Sequence, residues 1–141
     1  MGGVATGLDS LRKSYDSRWV GWPGITLDKE KKREEKKEIE KKLRSDFNCY
    51  PIFLSKSEVK DYYQGFSNRT IWPIFHYFTQ YAVYDKSLWE SYQQVNELFC
   101  DAVVDIAQEE DIIWVHDYHL MLLPELIRKR LPNATIGFFL H

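Results

Sequence analysis

Asp111-Ile112-Ile113-Trp114-Val115-His116-Asp117, the stretch Leu120 to Leu131, and Ala134-Thr135-Ile136-Gly137-Phe138-Phe139-Leu140-His141 carry the reading that decides the fold. The first and last are short, nearly continuous apolar runs rich in β-branched and aromatic residues. Between them, Leu123, Ile127 and Leu131 share one helical face, and Arg128-Lys129-Arg130 sit favourably at its carboxyl end. Pro132-Asn133 breaks the helix. A strand, a helix and a second strand, with both strands apolar throughout, predict a βαβ unit in a buried parallel sheet. Its crossover is expected to be right-handed.

Upstream, Leu88, Tyr92, Val95, Phe99, Ala102, Val103 and Ile106 recur in steps of three and four. They predict a long helix near residues 86–108 whose stripe is core rather than ligand site. Ser55 with Glu58 has the pattern of a capping box, and Cys49 to Leu54 reads as a strand with Pro51 at an edge or a start. Trp19-Val20-Gly21-Trp22 is a short strand closed by the Pro23-Gly24 turn, and residues 4–15 suit a first helix. Residues 28–45 alternate Lys and Arg with Glu. Ile39, Leu43 and Phe47 give this stretch one narrow apolar stripe, so it predicts a solvated helix docked along one side.

The bulk figures narrow the function classes. The chain has 141 residues, 44% hydrophobic and 16% aromatic, enough for a real core. A formal net charge of −2 offers no basic field for nucleic acid. Cys49 and Cys100 have no metal-type spacing, and no apolar run approaches the ~20 residues of a membrane span. Met1-Gly2-Gly3-Val4 does not read as a secretory signal, so a cytoplasmic protein is expected. Because the chain stops at His141 directly after an apolar strand, it is expected to be a piece of a longer polypeptide.

Ligands of open parallel sheets gather beyond the carboxyl ends of the strands. Asp117 and His141 fall at those two tips, and neighbouring strands would turn both toward one crevice suited to a sugar. An Asp in that place is also a common helix cap, and from the residues alone both readings stand. Gly2-Gly3 before a helix would let a phosphate approach, although a plain turn has the same signature. His116-Asp117-Tyr118-His119 contains metal-ligand types, but alternate strand residues diverge and no third cluster accompanies them. No metal or cofactor is therefore expected, and His76 and His119 are read as structural, hydrogen-bonded at core edges. The aromatics of Asp61 to Pro73 suit a sugar site or a core, with the core favoured.

Several of these segments, in order, resemble one family. Tyr62-Tyr63-Gln64-Gly65-Phe66-Ser67-Asn68, Trp72-Pro73-Ile74-Phe75-His76-Tyr77, the two strand-end segments through His119 and His141, Gly2-Gly3-Val4 and Trp19 to Gly24 are similar to the trehalose-6-phosphate synthases. The resemblance implies an α/β fold, a Rossmann-like parallel sheet flanked by helices, forming the amino-terminal half of a GT-B glycosyltransferase. Residues 1–141 would be a partial, acceptor-side domain without the family's first strand and without its carboxyl-terminal nucleotide-sugar domain. The implied reaction is metal-free, retaining transfer of glucose from UDP-glucose to glucose 6-phosphate. Tyr63, Trp72 and Asp117 match acceptor-site residues, and Gly2 and Gly3 match the loop beside the donor diphosphate. His141 matches a residue contacting the donor glucose and is the candidate catalytic group. The implied ligands are the two sugar substrates, with neither nucleic acid nor membrane, and association into a homo-oligomer is left open. A sister transferase with another phosphorylated acceptor and a non-catalytic regulatory homologue are the competing readings.

Overall fold

The computed structural model describes residues 15–26 and 33–141. Gly2, Gly3 and nearly all of the helix expected over residues 4–15 lie outside the described residues. In chain order the strands are β1 (Trp19–Gly21), β2 (Cys49–Pro51), β3 (Ile112–His116) and β4 (Thr135–Phe139). The α-helices are α1 (Arg33–Phe47), α2 (Lys56–Glu58), α3 (Trp72–Phe75), α4 (Lys86–Ile106) and α5 (Leu123–Arg130). A π-helix, Val59–Ile71, runs between α2 and α3.

Among the described residues all strand pairing is parallel. β1 pairs with β2, placing Pro51 opposite Gly21, and β3 pairs with β4 from Ile112↔Thr135 to His116↔Phe139. The two pairs are tied at their starts by Arg18, just before β1. Its guanidinium donates to the Ile106 carbonyl at 2.5 Å and to the Asp111 carboxylate, just before β3, at 2.7 Å. The β3–α5–β4 unit is the predicted βαβ, and the capping box forms as predicted. Glu58 N–H donates to Ser55 Oγ at 3.2 Å, while Ser55 N–H donates to Glu58 Oε2 at 2.7 Å.

The core lies where α4, α5 and the π-helix meet β3. Tyr92, Val95, Phe99 and Val103 of the predicted α4 stripe are buried there with Tyr62, Val115, Leu123 and Ile127. The stripe is core, as its spacing implies. Two expectations change. The sheet strands are not covered on both faces: Ile113 and Val115 turn inward, but Ile112 is 76% and Trp114 49% exposed. α4 and α5 shield one side of the β3–β4 pair, and among the described residues nothing shields the other. On α1, Ile39 and Leu43 are half-buried while Phe47 is exposed, so the docking stripe is shorter than its spacing suggests.

The π-helix was not legible from a 3.6-residue period. Its buried positions include Tyr62 and Ser67, and Gly65 and Thr70, each pair five apart, the spacing of i→i+5 hydrogen bonding. Gly65 allows α4 to come close: a β-carbon there would lie 2.8 Å from a Leu88 methyl and 3.1 Å from the Lys60 carbonyl oxygen. The aromatic segment is thereby turned toward the tip of β3.

Candidate functional site

Asp117 follows the last residue of β3 and adopts φ 73° and ψ 164°. Only glycine enters that region freely, and an ordinary residue there stores on the order of 1–3 kcal/mol of strain. The bend takes Asp117 out of the strand's alternation, so its neighbours differ from those of His116. Asp117 N–H still donates to the Phe139 carbonyl of β4 at 2.7 Å, fixing the bend to the neighbouring strand tip. One carboxylate oxygen accepts from Tyr118 N–H at 2.8 Å, and the other lies 3.4 Å from His119 Nδ1. The capping reading is thus met by the 3-10 turn Tyr118–Leu120, while the second oxygen faces His119 and keeps lone-pair capacity for a further donor.

Around this carboxylate the aromatic rings form a continuous wall. Tyr63 stacks on His119 with centroids 5.1 Å apart, and Trp22 lies 5.8 Å from Tyr63. Tyr118 stacks on His119 at 4.2 Å, and Phe75 of α3 meets Tyr118 edge-on at 6.4 Å. The structure therefore brings Tyr63 and Asp117 together through His119. Trp72 is half exposed on the same short helix as Phe75, and its ring stacks on His76 at 4.1 Å. His76 is exposed and donates from Nδ1 to the Trp72 carbonyl, 2.8 Å away, so it lies at the surface rather than at a core edge. A residue on an isolated α3 turn has no long stripe to bury it, which explains the difference.

His141 joins His116 and not the Tyr63 wall. His116 Nδ1 and His141 Nε2 are 3.1 Å apart, so one imidazole donates to the bare nitrogen of the other. Burial, and then the neighbouring His141, hold His116 below its ordinary pKa, which favours the neutral ring this contact needs. Burial likewise depresses His119, against a weaker opposing pull from Asp117. Among the described residues, no group of three His, Cys, Asp or Glu side chains is placed to hold a metal ion.

The lowered histidines set a pH dependence. The unfolded chain takes up protons near 6.5, the ordinary histidine value, while folded His119 and His116 resist them. Stability is then fully present above about pH 6.5 and falls as the pH drops through the folded values, because the unfolded state binds more protons. Urea unfolding at pH 7 and pH 5 should show this loss, and His119→Gln should reduce it.

Three residues whose side chains bond the backbone between Tyr118 and Met121 escaped sequence reasoning as site residues: Tyr62, Tyr92 and Asn96. The signal was an Asn among Tyr92, Val95 and Phe99 on the apolar side of a helix, where a polar group must find buried partners.

The whole length, residues 1–141, matches the profile of glycosyltransferase family 20. The chain belongs to glycosyltransferase family 20. It is 46% identical over 145 residues to the UDP-forming alpha,alpha-trehalose-phosphate synthase of Pichia angusta, covering 99% of this chain and 30% of that protein. Among solved structures it is similar to a UDP-forming synthase from Burkholderia xenovorans in complex with glucose-6-phosphate, with a TM-score of 0.79 and 33% identity. That likeness covers 100% of this chain and 30% of the other. A trehalose-6-phosphate protein of E. coli bound with UDP-2-fluoro glucose gives a TM-score of 0.80 at 34% identity, again over 100% and 30%. The family 20 chain therefore spans about 30% of the length of these relatives, and its fold is the α/β fold of GT-B synthases.

Proposed function

We propose that this chain forms the acceptor-side, amino-terminal wall of a UDP-forming trehalose-phosphate synthase. In this reading the anomeric hydroxyl of glucose 6-phosphate attacks C1 of the glucose in UDP-glucose. The bond from C1 to the UDP oxygen breaks on the same face, and the acceptor proton passes to the departing UDP, so the configuration is retained. Asp117 and Tyr63 bind the acceptor, Trp72 flanks it, and His141 contacts the donor glucose. Gly2 and Gly3 are assigned to the loop beside the donor diphosphate.

The observation that carries the proposal is the bent Asp117 set against the Tyr63–His119–Tyr118 stack. A sugar offers hydroxyls to a carboxylate and C–H faces to rings, and a few fixed polar groups in an aromatic wall supply both. Positioning of this kind accelerates a two-substrate reaction without a protein nucleophile. The relatives named above, one seen with glucose-6-phosphate, support the same acceptor. The cytoplasm, where phosphorylated and nucleotide-activated sugars meet, is the proposed location. Among the described residues no helix is long and apolar enough to cross a membrane.

The test is product identification by NMR after incubating the complete transferase with UDP-glucose and glucose 6-phosphate. Trehalose 6-phosphate and UDP in equal amounts are expected. A product from another phosphorylated acceptor in preference, or a β-linked one, would overturn the assignment. The 141-residue polypeptide by itself is proposed to be without turnover.

A further inference from the structure

The turn that carries Asp117 is held from below by side chains that never reach the crevice. Tyr92, in the middle of α4, donates its hydroxyl proton to the Tyr118 carbonyl at 2.7 Å and accepts from Met121 N–H at 3.0 Å. One phenol thus closes both ends of the 3-10 turn behind Asp117. One helical turn further along α4, Asn96 donates from Nδ2 to the His119 carbonyl at 3.2 Å and to the Tyr92 carbonyl at 2.9 Å. The hydroxyl of Tyr62 donates to the same His119 carbonyl at 3.0 Å. All three side chains are buried, with Tyr92 at 1% and Asn96 at 0% exposure. Burial also pushes the Tyr92 phenol up to about 12, so it keeps the proton it donates.

A strained backbone persists only where its surroundings determine it more than once. Here each of three consecutive peptide groups after Asp117 is fixed from α4 or the π-helix, and desolvation makes each bond costly to lose. We infer that Tyr92, supported by Asn96, is a positioning residue that holds Asp117 in its glycine-like conformation and so sets acceptor affinity from behind the site. This rests on the assignment of Asp117 to the acceptor made above.

Tyr92→Phe removes one oxygen and leaves the ring that packs on Tyr62 and Phe66. In the complete transferase it is expected to raise the KM for glucose 6-phosphate about 10- to 100-fold, the scale on which small misplacements act, with the KM for UDP-glucose within about 2-fold. In an Asp117→Ala background the same change should add nothing, whereas a merely structural role would cost as much in both backgrounds. A crystal structure of Tyr92→Phe supplies the independent reading: Asp117 is expected to leave positive φ. Asp117 remaining near 73° in that variant would overturn the inference whatever the kinetics. A displaced Asp117 with acceptor KM unchanged in both Tyr92→Phe and Asp117→Ala would leave the clamp standing and would instead remove the acceptor assignment.

Discussion

Asp117→Ala should weaken glucose 6-phosphate binding by about 10- to 150-fold, the equivalent of the ~1.5–3 kcal/mol that a charged hydrogen bond contributes. The carboxylate caps Tyr118 with one oxygen and leaves the other toward His119 and the aromatic wall. Truncation therefore removes the proposed polar partner of the acceptor and a backbone cap together. Asp117→Gly should lose binding to the same degree but behave differently in unfolding. Glycine adopts φ 73° without strain, which offsets most of the lost cap, while alanine keeps the strain and loses the cap. The glycine variant is expected to be more stable than the alanine variant by about 1 kcal/mol, the reverse of the order inside a regular helix. Paired thermal unfolding curves check this, and equal stabilities would show that the bend is not strained.

The largest loss of stability is expected from Ile127→Ala. Ile127 is fully buried on α5, in the core cluster that also contains Val115 and Phe99. Removing a buried branched side chain costs about 2–5 kcal/mol, since transfer and cavity contributions add. Native stabilities are only about 5–15 kcal/mol, so a fall of Tm by about 10 °C or outright unfolding is expected. Ile112→Ala is the matched control. Although Ile112 lies in an equally apolar run, it is exposed, and its replacement should change stability by less than about 0.5 kcal/mol.

That contrast marks where the sequence was readable. Periodicity placed β3, α5 and β4 and put Asp117 at a strand tip, because local hydrophobic spacing suffices for a βαβ unit. It could not tell Ile112 from Val115, since covering a sheet face depends on which elements pack there. The Ser55–Glu58 capping box was legible because its partners are three residues apart. The Tyr92 clamp was not, because its partners, Tyr118 and Met121, lie far along the chain. Nothing local announces positive φ at an aspartate, and the π-helix depends on how closely Gly65 lets α4 approach. Asp117 was named from its strand-end position and then from motif resemblance, Tyr63 from the resemblance alone, and the structure groups them through His119, a residue read from the sequence as structural.

The most direct measurement is titration of the 141-residue protein with glucose 6-phosphate, followed by tryptophan fluorescence, with Trp72→Ala and Asp117→Ala in parallel. Trp22 lies 5.8 Å from Tyr63 in the proposed wall, and Trp72 shares its short helix with Phe75, which meets Tyr118. A preformed acceptor wall predicts saturable quenching or enhancement that is lost in Asp117→Ala and diminished in Trp72→Ala. No change at millimolar ligand, or an identical response in both variants, would contradict it.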